Sequence, residues 1–234
     1  MSGFIDIASR ILSQAEGRVE IAAQNIANAN TPSYKRRLSF ASVMAEAGSS
    51  PEAQTQASTI VDFTPGKPIH TGNSLDITVI GDGFLAVRTP TGLAYLRGGQ
   101  FQRDSSGRVV TADGYPLQLQ GGGDLTAKSG DFQVQSDGAV VEGGEALGKL
   151  ALFDLVDRQA ARREGSGLFR AEDANVVTRD GAVVRQGSLE ASNVSAGEEM
   201  VSVMEALRRA ESGQRLVTIY DDLMGRVLST FGQA

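Results

Sequence analysis

The stretch FIDIASRILSQAEGRVEIAAQNIANAN, residues 4–30, decides how this chain is built. Within it Ile5, Leu12, Val19 and Ile26 recur every seven residues, with Ala8, Ala15, Ala22 and Ala29 three places after each. A seven-residue apolar repeat with two stripe positions marks a helix that packs along another helix. Alternating a large side chain with alanine lets two helix axes approach closely, so this face calls for a helical partner. That partner is written at the other end, in VSVMEALRRAESGQRLVTIYDDLMGRVLSTF, residues 201–231. There Val203, Ala210, Val217, Met224 and Phe231 repeat at the same interval, and Ala206, Gly213, Tyr220 and Val227 fill the second register. Helices at both extremes of a chain, around a middle without helical periodicity, point to termini made to be packed together. The pattern favours assembly over catalysis.

The N-terminal helix is expected over residues 4–30, with Ser2 as its N-cap and Asp6 in its first turn. It must stop at or before Thr31, because Pro32 disfavours helical backbone in its predecessor and donates no hydrogen bond. The C-terminal helix is expected over 197–230, with Glu198 and Glu199 at its positive end. Its second half is apolar almost all round: Leu216, Val217, Ile219, Tyr220, Leu223, Met224, Val227, Leu228 and Phe231. Pairing with the first helix hides one stripe and leaves Leu216, Ile219 and Leu223 for other cover. Either the middle of the chain or other copies must supply it, and the pattern favours other copies.

From Leu75 to about Val184 the apolar period drops to two or to short runs. Leu75–Ile80 reads as a strand, Gly81-Asp82-Gly83 as a turn, and Phe84–Val87 as the return strand of a hairpin. Further turns are marked at Pro90-Thr91-Gly92, Asp104–Gly107, Asp113-Gly114, Gly121–Gly123, Ser136–Gly138 and Asp180-Gly181. Strands between them are expected at 95–97, 109–111, 132–135, 140–142, 149–154 and 182–185. Such spacing suits an antiparallel β domain. The fold class is therefore α+β, with terminal helices forming a coiled-coil-like stalk around a central antiparallel β domain. In domains, 1–33 and 195–234 form the helical part, 34–73 an extended linker and 74–194 the β-rich part. The linker holds Ser49-Ser50-Pro51 and two short apolar pieces, 38–44 and 60–63, suited to docking.

Composition removes several function classes. The 234 residues carry a net charge of −6, which argues against nucleic acid as a partner. The one compact basic cluster, Lys35-Arg36-Arg37, reads as a solvated face. With no cysteine there is no disulfide or thiolate chemistry, and with one histidine, His70, no His-rich metal site. The Asp-Gly steps lack the alternating ligands of a calcium loop, and Gly81-x-Gly83 lacks the third glycine of a dinucleotide fingerprint. No catalytic residue, metal or cofactor is expected. No apolar run approaches the roughly 18 residues of a membrane span, so no membrane insertion is expected. The opening MSGFIDIASRILSQAEGR lacks a cationic region and a continuous apolar core, so no cleavable signal peptide is expected.

Four segments, in order, are similar to the flagellar rod and hook protein family. Asn25-Ile26-Ala27-Asn28-Ala29-Asn30-Thr31-Pro32-Ser33-Tyr34-Lys35 resembles the family's N-terminal segment, with Ser33 where glycine is frequent. Leu75-Asp76-Ile77, running into Gly81-Asp82-Gly83-Phe84-Leu85, resembles the central one, with Leu85 where a second Phe is usual. Tyr95-Leu96-Arg97-Gly98-Gly99-Gln100-Phe101 follows, and Gly187-Ser188-Leu189-Glu190-Ala191-Ser192-Asn193-Val194 resembles the run before the terminal helix. The resemblance implies a structural subunit of the bacterial basal-body rod, the periplasm-spanning shaft that transmits torque. It implies helical self-assembly through the terminal helices, partners among copies of itself and other rod proteins, and delivery by the flagellar type III export apparatus. The competing reading is a monomeric β-rich binding module, for instance for cell-wall glycan, on an intramolecular helical stalk.

Overall fold

The computed structural model describes residues 2–39, 59–128, 131–165, 167–179 and 181–231, and only the backbone of 2–4, 227, 228, 230 and 231. The chain divides into two units, one of Met1–Ala29, Arg37–Asp62 and Val194–Ala234, the other of Asn30–Arg36 and Phe63–Asn193. The α+β class expected from the sequence is what forms.

The first unit holds helix α1 (Ser2–Ala27) and helix α2 (Ala196–Phe231). Ala8, Ala15, Ala22 and Ala206 are buried along their seam. Small residues let the backbones close in: a Cβ built on Gly213 would stand 3.2 Å from Cγ2 of Ile11 and 3.4 Å from Cγ of Leu12. Asn25 reaches Glu199 while Leu12 lies against Gly213, so the helices run antiparallel. Glu198 and Glu199 occupy the first turn of α2, where carboxylates offset the helix dipole.

Helix α1 starts at Ser2, which is therefore not its cap, and ends at Ala27, three residues before the expected stop at 30. Asn28 and Ala29 donate backbone hydrogen bonds to the carbonyls of Asn25 and Ile26, tightening the last turn. The Asn28 amide donates to the carbonyl of Gln24 at 2.8 Å and satisfies an orphan acceptor of the helix end. Strands β1 (Arg37–Ser39) and β2 (Thr59–Val61) pair antiparallel in this unit, within the stretch read as a linker. Residues 40–58, including Ser49-Ser50-Pro51 and most of the apolar piece 38–44, lie outside the described residues.

The second unit is antiparallel throughout. Its strands are β3 (Pro68–His70), β4 (Asp76–Ile80), β5 (Phe84–Thr89), β6 (Gly92–Leu96), β7 (Gly98–Arg103), β8 (Val109–Thr111), β9 (Phe132–Val134), β10 (Ala139–Glu142), β11 (Glu145–Lys149), β12 (Leu152–Leu155), β13 (Arg162–Arg163), β14 (Phe169–Arg170), β15 (Val176–Thr178), β16 (Val183–Gln186) and β17 (Ser188–Glu190). They form sheets ordered β13-β14-β6-β5-β12-β15, β16-β4-β7-β8, β11-β10-β9 and β17-β3. Ile77, Val79, Leu85, Val87, Phe101, Leu117, Leu125, Phe132 and Leu150 bury the core between them.

The expected hairpin of residues 75–80 with 84–87 does not form. Strand β4 pairs with β7 and β16, whereas β5 pairs with β6 and β12, in a different sheet. Both edges of β4 are taken by β7 and β16, and the Arg97 guanidinium donates to the carbonyls of both Val79 and Gly83 at the corner between β4 and β5. The next residue, Gly98, allows the switch of sheet, since a Cβ there would sit 2.5 Å from the carbonyl oxygen of Ile77. The expected strand 149–154 likewise splits at Leu150-Ala151 into β11 and β12. The turns at Pro90-Thr91, Asp104–Gly107 and Ser136–Gly138 do join hairpins, β5-β6, β7-β8 and β9-β10. In the turn read at Asp180-Gly181, Asp180 lies outside the described residues.

Ser33 is the only non-glycine residue with positive φ among the described residues, at 59°. Its Oγ is buried without a hydrogen-bond partner. Left-handed backbone costs a residue with a Cβ about 1–2 kcal/mol, and an unpartnered buried hydroxyl adds about 1–3 kcal/mol. The greater freedom of an unfolded glycine offsets only about 0.5–1 kcal/mol of that. Ser33→Gly is therefore expected to stabilise the chain by about 1 kcal/mol, a rise of roughly 2–4 °C in calorimetric Tm; an unchanged or lower Tm contradicts this account.

Candidate assembly surface

The helix pair presents the residues singled out from the heptads in two groups. Ala8, Ala15 and Ala22 lie buried in the seam, with Leu12, Val19, Ile26, Val203, Ala210, Val217, Tyr220 and Met224 partly covered beside it. Ile5, Ile219 and Leu223 remain exposed, the last two at 54% and 55%, and Leu216 is half-buried. The side chains of Val227, Leu228 and Phe231 lie outside the described residues. The structure adds Met200, Val201, Met204 and Leu207, each more than half exposed on α2. Their spacing is legible in the sequence, outside the heptad registers of Val203, Ala206 and Ala210. Burial together with the nearby Arg209 holds the Arg18 guanidinium below its ordinary range, with Glu205 pulling the other way.

Where α1 ends, Asn25 serves as a strand partner. Its Oδ1 accepts from the backbone N–H of Arg37 at 2.9 Å, and its Nδ2 donates to the Arg37 carbonyl at 2.8 Å and to Glu199 at 3.1 Å. One buried amide thus joins α1, β1 and α2. Arg37 also bonds Gln24 and Thr59.

In the second unit, segments 33–36 and 188–193 meet, 157 residues apart at the bond from the Arg36 N–H to Asn193 Oδ1 (2.7 Å). Asn193 Nδ2 donates to Thr64, and the Ser33 N–H donates to the Glu190 carbonyl at 2.7 Å. Lys35 is fully buried, contrary to its reading as part of a solvated basic face. Its ammonium pairs with Glu190 and donates to the Thr64 carbonyl at 2.8 Å. Arg97, also buried, binds the other Glu190 oxygen through Nε at 3.1 Å, and the Gly66 N–H donates to Glu190 at 2.8 Å. The correction has a plain cause: a cation leaves water when a buried carboxylate stands ready for it, and Glu190 lies far along the chain. Tyr34 is buried with the Arg163 guanidinium 4.1 Å above its ring. Asp76 accepts from Asn73 and its carbonyl takes the Gly187 N–H. Phe84 packs with Phe63 and Phe169, so of the apolar piece 60–63 it is Phe63 that docks in this unit. Leu75 is partly buried against the core, Gly81 and Gly83 hold positive φ at the corner, and Asn30 and Thr31 are exposed. Ser192 and Val194 are partly buried. His70 lies exposed on β3, opposite Ser188.

The segments that carry this geometry coincide with three family models. "Flagella basal body rod protein" matches residues 5–35, "Flagellar hook protein FlgE/F/G D1 domain" matches 78–142, and "Flagellar basal body rod FlgEFG protein C-terminal" matches 185–230. The chain is 30% identical to the flagellar basal-body rod protein FlgF of Caulobacter vibrioides over 226 residues, 92% of each chain. The chain belongs to the flagellar basal-body rod protein family. Similar relatives include the rod protein FlgF of Escherichia coli, 30% identical over 92% of each chain. The rod protein FlgG of Bacillus subtilis is 27% identical over 91% of this chain and 92% of its own. Membership makes this a structural rod subunit, FlgF-like first and FlgG-like next, and nothing observed favours the binding-module alternative. No described helix is long and apolar enough to cross a membrane.

Removing the carboxylate of Glu190 takes away the acid that Lys35 and Arg97 share. Glu190→Leu is expected to lower unfolding free energy by about 3–5 kcal/mol, read by urea titration of the circular dichroism. Lys35→Met, which leaves Arg97 on the carboxylate, is expected to cost less; equal or reversed losses contradict the pairing described.

Proposed function

We propose that this rod subunit self-assembles helically through the α1–α2 pair, forming the torque-transmitting axial shaft with copies of itself and other rod proteins. The carrying observation is the apolar surface that α2 keeps after α1 has covered one stripe: Met200, Met204, Leu207, Ile219 and Leu223 stand more than half exposed. Exposed apolar side chains lined along one long helix mark a contact surface. Under this reading the flagellar type III apparatus exports the chain, without cleavage of a signal peptide, into the periplasm-spanning rod. It works without catalysis, cofactor, nucleic acid or membrane insertion; the negative net charge supports the exclusion of nucleic acid.

Truncation at Leu216 tests the reading. In cells lacking the native gene, the truncated chain is expected to accumulate with a protease-resistant core near residues 63–193 and to restore neither basal bodies nor swimming. Swimming supported by that truncation sinks the proposal.

A further inference from the structure

Residues 30–36 leave the first unit, dock on the second and return to the first. The chain therefore passes between the units at four places, after residues 29, 36, 62 and 193, and two of the four bracket this segment. Lys35 seats it on Glu190 and the Thr64 carbonyl, and the Ser33 N–H donates to the Glu190 carbonyl. The Arg36 N–H donates to Asn193, and the Arg163 guanidinium covers Tyr34.

The seat stands without its occupant. With Lys35 withdrawn, Glu190 keeps Arg97 at 3.1 Å and the Gly66 N–H at 2.8 Å, and Arg97 keeps the Val79 carbonyl at 3.0 Å. The Lys35 ammonium, on its flexible four-carbon stem, moves into water. Lifting thus leaves a paired acid inside and a solvated cation outside. Strain favours it too. Ser33 holds φ at 59° and buries its Oγ without a partner only while seated, and both costs vanish once the segment is free. The ends stay anchored, because Asn25 bonds both the N–H and the carbonyl of Arg37, so the lifted residues form a short closed loop.

We infer that residues 30–36 are a strap, latched by Lys35, that lifts from the second unit as one piece while the sheets stay folded. A lifted strap leaves the units joined by the passages after residues 62 and 193 alone, so the latch sets how freely one unit turns against the other. The inference concerns the single chain and does not depend on the rod-subunit reading.

Native-state amide hydrogen exchange of the full chain, followed by NMR in sub-denaturing urea, tests it. The Ser33 and Arg36 amides report the strap, and those of Leu117 and Leu125, bonded inside the core, report the sheets. Ser33 and Arg36 are expected to share one opening equilibrium, roughly tenfold or more above that of the core amides. It should barely respond to urea, because little surface is exposed. Val140→Ala, in the core and outside the strap's bonds, is expected to raise core opening roughly tenfold and leave strap opening unchanged. Ser33→Gly should lower strap opening about fivefold. Lys35→Met should raise it roughly tenfold or more and still fold, since the lifted form sets a floor under its loss of stability. Strap amides that open only with the core, or that follow Val140→Ala, overturn the inference. So does a Lys35→Met chain that leaves strap opening unchanged or fails to fold.

Discussion

The carboxylate of Glu190, shut away from water with Lys35 and Arg97 on its two oxygens, is the constraint around which the second unit closes. A buried charge is tolerable only when its partners are in place, so several distant segments must arrive together. Lys35 comes from the segment after α1, Arg97 from the junction of β6 and β7, and Gly66 and Thr64 from the approach to β3. Arg97, bonded to Glu190 and to the carbonyls of Val79 and Gly83, also holds the corner at which β4 and β5 part into different sheets. Apolar packing of equal volume would hold these segments as firmly, but it lacks the directional demand that selects which segments meet.

The first unit follows a different rule, set by size. Alanine and glycine in the seam bring α1 and α2 close, and that closeness pushes the larger side chains to the flanks. The tight seam and the exposed Met200, Met204, Leu207, Ile219 and Leu223 are thus one feature with two sides. Asn25 closes the end of the pair by bonding β1 and Glu199 at once, where an apolar residue would supply neither the acceptor for the Arg37 N–H nor the donor for its carbonyl.

A structural subunit needs nothing in a cleft and a good deal along its surface. The family's segments here hold backbone and buried charge rather than line a cleft: Asn25 pins a strand, Lys35 and Glu190 pair, and Asn193 ties the two segments together. Family identity and physical role agree at these positions. The similarity to FlgF and FlgG proteins is strongest as an argument because it spans both helices and the sheets between them.

Periodicity alone determined the two terminal helices, their shared seam and the antiparallel character of the middle. Each of these depends on residues close in sequence: a seven-residue repeat, a proline stop, Asp-Gly steps at tight turns. Adjacent strands with a turn between them read as a hairpin for the same local reason, and pairing of β4 with the distant β7 and β16 overruled it. Lys35 reads as a surface cation because its local neighbours are polar, and the partner that buries it lies 155 residues away. Ser33 shows the limit from the other side, since its departure from glycine was visible in the sequence while its left-handed backbone was not. What only the tertiary structure decided was the pairing of charges and strands across long chain separations, because burial and electrostatic partnership are properties of the assembled interior and not of any short stretch of chain.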